Sequence, residues 1–144
     1  MPQRPIREII ENKKPVTAPG GTSVAEAARL MKQHRIGAIL VVKGHELKGI
    51  FTERDALFRV MATGRDPEAT TLSEVMTPNP RTIGPDRPFG HALHLMYEGE
   101  FRHVPVVENG QPLGMVSARD ALEPDLEEFI SDLDTRARIG EIMR

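Results

Sequence analysis

Apolar positions along the chain follow two rhythms, and their order of alternation occurs twice. Val24, Ala27, Ala28 and Met31 recur at the spacing of a helix that buries one face. Phe89, Ala92, Leu93 and Met96 repeat that spacing. Ala38 to Val42 and His103 to Val107 are short apolar runs rich in β-branched residues, which predicts strands. His45-Glu46 and Asn109-Gly110 mark turns. Second strands are predicted from Leu47 to Phe51 and from Leu113 to Val116, and second helices from Thr52 and Ser117. A short extended piece precedes each first helix, at Val16-Thr17 and at Arg81-Thr82-Ile83. Each unit therefore reads βαββα, and the fold class is α+β.

The two units are copies. Residues 16–57 shifted by 65 positions lie on 81–122 without a gap. Identical pairs include Thr17/Thr82, Leu30/Leu95, Met31/Met96, Val41/Val106, Gly49/Gly114, Arg54/Arg119 and Asp55/Asp120. A leader also repeats, one residue out of step: Ile6-Arg7-Glu8-Ile9-Ile10 and Leu72-Ser73-Glu74-Val75-Met76. The resulting division is a first unit over 5–62, a linker over 63–71 with Gly64 and Pro67 as breakers, a second unit over 72–123, and a tail over 124–144. A half of about 60 residues is marginal alone, so the halves are expected to pack as one pseudo-twofold module.

Composition narrows the classes of function. The net charge of −2 gives no electrostatic reason for nucleic acid or an anionic membrane. With no cysteine there is neither disulfide nor thiolate chemistry. The start, Met1-Pro2-Gln3-Arg4-Pro5, has no apolar leader, and no run reaches the length of a membrane span. A cytoplasmic location is the expectation.

Candidate chemistry sits at the end of each second strand. Gly49-Ile50-Phe51-Thr52-Glu53-Arg54-Asp55 is matched by Gly114-Met115-Val116-Ser117-Ala118-Arg119-Asp120. One reading is local: Thr52 with Asp55, and Ser117 with Asp120, form helix N-caps. The other is functional. A helix start offers free N–H groups and a positive dipole end, which suit phosphate. Arg54 and Arg119 sit in that first turn, where a cation does not help the helix but does pair with phosphate. An ionised carboxylate accepts hydrogen bonds from ribose hydroxyls. Both readings stand on the sequence.

The tandem units, the Val75-Met76-Thr77-Pro78-Asn79-Pro80 leader, the His103-Val104-Pro105-Val106-Val107 strand and the Gly-x-x-[Thr/Ser]-x-x-Asp strand ends resemble a pair of CBS domains over about residues 5–123. The resemblance implies two packed βαββα units with two clefts between them. It implies an adenosine-containing ligand such as AMP, ATP, NAD or S-adenosylmethionine. It gives Asp55 and Asp120 the ribose, Thr52 with Arg54 and Ser117 with Arg119 the phosphate, and adds Arg102 and His103 before the second copy's long strand. Gly37 and Ala38 stand there in the first copy. The base is expected against Thr77, Arg81 and Phe101 in the Asp55 cleft, and against Val16 and Ile36 in the Asp120 cleft. The basic pair leads to the expectation that the Asp120 cleft binds a phosphorylated ligand more tightly. A homodimer, a conformational signal to an unidentified effector protein, and no catalytic cofactor are also implied.

Other signals carry less. His91 and His94 have a spacing that places both on one helix face, but they lack a third ligand and oppose the apolar stripe. No nucleophile elbow or Walker-type loop is present, and aromatics are too few for base-stacking platforms. The tail holds six acidic residues and no basic one between Glu123 and Asp134. Leu126, Phe129, Ile130 and Leu133 give it an amphipathic face, expected to pack on the module or on a second subunit, or to bind a partner. Ile139-Gly140-Glu141-Ile142-Met143 echoes the leaders. Two alternatives remain: a ligand-free interaction module, and an enzyme with an unrecognised site.

Overall fold

The computed structural model describes residues 4–142; Met1-Pro2-Gln3 and Met143 of the tail echo lie outside the described residues. In chain order the elements are α1 (Ile6–Ile10), β1 (Thr17–Pro19), α2 (Val24–His34), β2 (Ala38–Lys43), β3 (Glu46–Thr52) and α3 (Glu53–Asp55). A π-helical stretch, Ala56–Met61, continues α3. The second half holds α4 (Leu72–Val75), β4 (Thr77–Pro78), α5 (Phe89–Gly99), β5 (His103–Glu108) and β6 (Gln111–Ser117). A 3₁₀ turn, Ala118–Ala121, leads into α6 (Leu122–Ile142).

The repeat is visible in the backbone. Strand β1 runs parallel to β2, which pairs antiparallel with β3; β5 and β6 pair antiparallel in the same way, with a register shift at the equivalent place. Ser23 caps α2 by accepting from the Glu26 amide at 3.1 Å. Arg35 and Glu100, at equivalent positions, both close their helices in the left-handed conformation. One expected strand is reduced: Arg81-Thr82-Ile83 contributes a single bridge, Ile83 to Val106. Pro105 stands at the repeat position of Leu40, whose amide donates to the Val16 carbonyl at 3.1 Å; without an N–H, Pro105 cannot make the equivalent bond to Arg81, so the ladder is shorter.

Each leader crosses to the other unit. Ile6, Ile9 and Ile10 of α1 are buried with Ile83, Phe89, Ala92, Met96, Val104, Val106 and Val116. Leu72 and Val75 of α4 are buried with Ala18, Val24, Ala27, Met31, Ile39, Val41, Phe51 and Val60. Strand β4 then adds to the first unit's sheet beside β3. The motif glycines explain the close approach. A Cβ on Gly114 would stand 2.9 Å from Ile10 Cβ, and one on Gly49 would stand 2.9 Å from the Thr77 carbonyl oxygen. A third cluster, Ala38, Leu40 and Ile50 with Leu47 and Met115, joins the units. The Leu47 amide donates to the Gly110 carbonyl at 3.1 Å across the same junction.

Helix α6 starts at Leu122, ahead of the expected tail boundary, and Leu126, Phe129, Ile130 and Leu133 are all exposed, so of the expected placements the stripe does not take the one on the module. No helix among the described residues is long and apolar enough to cross a membrane.

Candidate functional site

Strand β3 delivers the first motif to the mouth of a cavity of about 1340 Å³. The local chemistry is a reciprocal cap. Thr52 Oγ1 accepts from the Asp55 amide at 3.2 Å, and Asp55 Oδ2 accepts from the Thr52 amide at 2.9 Å. The cap orients the carboxylate, and the second oxygen, Oδ1, stands 3.5 Å from Arg59 Nε. Arg59 is itself held by the Val75 and Met76 carbonyls at 3.2 and 3.1 Å. The π-helical turn that follows brings Leu57 and Phe58 to the cavity wall. Such wide turns recur at functional sites because they displace side chains from the regular helical face.

The opposite wall comes from the second unit. Thr77, Arg81, Phe101, Arg102 and His103 line the cavity together with Thr52, Arg54 and Asp55. These sequence-predicted residues therefore meet in one place. Arg54 lies over the Phe58 ring, 5.5 Å from its centroid, and donates to the Glu100 carbonyl at 3.4 Å. Arg81 is 3.9 Å from Glu98. Arg102 has no ion-pair partner among the described residues. His103 is held below its ordinary value mainly by burial; Arg102 pushes it the same way, while Glu53 and Asp120 oppose.

Arg102 and His103, expected with the second copy's motif, adjoin it through the His103–Ser117 strand pair and the Ala118 amide, which donates to the Arg102 carbonyl at 3.0 Å, and they also line the Asp55 cavity. They reach both because β5 begins at the junction of the two units: a Cβ on Gly37 would lie 3.5 Å from the His103 ring.

The second motif is placed differently. Asp120 is 7% exposed. Its Oδ2 accepts from the Ser117 amide at 2.7 Å, the same cap as in the first copy. Its Oδ1 accepts from Lys13 Nζ at 3.1 Å. Arg4 donates to the Asp120 carbonyl at 3.0 Å. Val16 and Ile36 pack against the first unit's core, and Ser117, Arg119 and Asp120 do not line the large cavity.

Sequence reasoning missed Glu53, Leu57, Phe58, Asn79, Tyr97, Glu98 and Glu100 on the cavity wall, and Lys13 on Asp120. The leader offset was the available signal for Asn79 and Lys13, since it makes them equivalent. His94 pairs with Glu98 at 2.7 Å, and among the described residues no His, Asp and Glu cluster could hold a metal ion.

A family model described as the CBS domain matches residues 6–62 and 72–126. The CBS domain-containing protein CBSCBSPB3 of Arabidopsis thaliana is 40% identical over 110 residues, covering 76% of this chain and 20% of that protein. The chain thus spans about a fifth of that relative's length. The CBS domain-containing protein YhcV of Bacillus subtilis is 36% identical over 115 residues, covering 80% of this chain and 81% of that one. Among solved structures, the CBS domain protein NE2398 superposes with a TM-score of 0.79 at 26% identity, covering 85% of this chain and 98% of its own. PAE2072 from Pyrobaculum aerophilum, solved with AMP, gives 0.74 at 25% identity, covering 81% and 88%. The CBS pair of MJ0100, solved with 5′-methylthioadenosine and S-adenosylmethionine, gives 0.75 at 30% identity, covering 83% and 97%.

Proposed function

The chain belongs to the CBS-domain family, and from that premise we propose that it is a sensor that binds an adenosine-containing ligand reversibly and signals by a change in module geometry. CBS pairs are generally regulatory rather than catalytic modules, and two solved relatives hold AMP or S-adenosylmethionine with methylthioadenosine. The observation that carries the reading is the Asp55 cavity, which both units line. A capped carboxylate for ribose hydroxyls, three guanidinium groups and the apolar surfaces of Leu57, Phe58 and Phe101 converge there. AMP, ATP and NAD share the features these groups recognise.

The signalling step follows from the same geometry. A ligand shifts a conformational equilibrium only by binding one state better than the other. A ligand in contact with both Thr52–Phe58 and Thr77–Phe101 senses the relative position of the units. The effector is a protein partner, and a homodimer of modules is the assembly we favour. The exposed stripe of α6 supports a protein-interaction role beside ligand binding.

A thermal-shift panel of AMP, ADP, ATP, NAD+, NADH and S-adenosylmethionine tests the reading. A binder at a hundred times its dissociation constant adds about 2.7 kcal/mol of stability. The expected result is a shift with at least one of them that Asp55→Ala diminishes. A flat panel, with the protein shown to be free of carried-over nucleotide, refutes the sensor.

A further inference from the structure

The two motifs are identical in plan but their carboxylates are not in the same state. Asp120 has both oxygens hydrogen-bonded, Oδ2 to the Ser117 amide and Oδ1 to the Lys13 ammonium at 3.1 Å. Asp55, which lines the cavity, has Oδ2 in its cap, while Oδ1 has only the looser 3.5 Å approach of Arg59. The leader accounts for the difference. Its repeat offset sets Lys13 against Asn79, an uncharged residue that lines the Asp55 cavity. Pro124 stands at the repeat position of Arg59, so the second helix lacks the cation that approaches Asp55 in the first. The first leader supplies one instead, and Arg4 fastens the same leader to the Asp120 carbonyl at 3.0 Å.

We propose that each chain holds one adenosine ligand, in the Asp55 cleft, because Lys13 occupies the Asp120 carboxylate. This rests on the sensor reading above and reverses the affinity order that the basic pair alone implies. Arg102 and His103, the groups that favoured the second cleft, serve the first. A ribose that enters the second cleft competes with Lys13 for the Asp120 carboxylate, at about a tenfold or greater loss of affinity. Lys13 is half-exposed, so the closure is a surface latch that a single substitution opens.

Titration calorimetry of the full chain tests this, with AMP and, as a phosphate-free probe, 5′-methylthioadenosine. The wild-type chain takes up a single equivalent. Asp55→Ala takes up none. Lys13→Gln, which gives the second cleft a neutral amide like that of the first, takes up a second equivalent. The double variant Lys13→Gln with Asp55→Ala returns to one, now in the second cleft, so loss of binding by misfolding is separable from loss of the site. Two equivalents on the wild-type chain, or no added equivalent in Lys13→Gln, overturns the inference and leaves the sensor reading intact. No heat from the wild-type chain with either probe, together with a flat thermal-shift panel, removes both.

Discussion

Replacing Gly114 by alanine tests the crossing of the leaders. The new Cβ would lie 2.9 Å from both Cβ and Cγ2 of Ile10 and 3.3 Å from Cδ1. Carbon atoms prefer about 3.5–4.0 Å, so one partner must retreat by roughly half an ångström. Helix α1 is poorly placed to do so. It is tied by backbone bonds from the Ile6 amide to Arg87 at 3.0 Å, from the Arg7 amide to Pro85 at 2.8 Å, and from the Phe89 amide to Arg4 at 2.7 Å. Ile10 is also buried among the second unit's core residues. Overpacking of this kind costs about 1–3 kcal/mol. Removing a strand glycine offsets about 0.5–1 kcal/mol through the unfolded chain. The net expectation is a loss of about 1–2 kcal/mol. In urea that lowers the midpoint by about 0.5–1 M at an m-value near 2 kcal/mol/M. Gly84→Ala is the control, since its Cβ meets nothing within 4 Å. In an Ile10→Ala background the penalty shrinks by about 0.5 kcal/mol or more, because Cγ2 and Cδ1 are gone while the Cβ contact stays. A Gly114→Ala chain as stable as wild type, with no coupling to Ile10, would mean that the first leader does not lie on the second unit's sheet.

Two further outcomes follow from burial and charge. His103 titrates below its ordinary value of 6.5, so the unfolded chain takes up this proton before the folded one does. Its contribution to stability is therefore present above pH 6.5 and is lost as the pH falls from there through the folded value. His103→Gln should flatten the stability profile over that window in urea melts at stepped pH; an unchanged slope would place the imidazole in water. Phe129, exposed on α6, contributes no packing to the module. Phe129→Ser should stay within about 0.5 kcal/mol of wild type. A larger loss that shrinks on dilution would show that a second subunit covers the stripe.

Much of the fold and half of the site logic were legible without coordinates. Apolar period, turn residues and caps are local properties, so the helices at Val24 and Phe89, the paired strands and the Thr52/Asp55 and Ser117/Asp120 caps follow from residues a few positions apart. The gapless repeat set the pseudo-symmetry, and the family resemblance brought Thr77 and Phe101 to Asp55's side. Three features lay beyond reach for one physical reason: each depends on which distant surface a short segment buries. Five residues of α1 have no local preference for one unit's sheet over the other. Only the space that Gly114 leaves for Ile10, and Gly49 for Met76, decides the crossing. Once α1 crosses, Lys13 reaches Asp120 and two matching motifs become unlike. Arg102 and His103, likewise, adjoin the Asp55 cavity as well as their own motif because the units meet at β5, a juxtaposition that no spacing along the chain encodes.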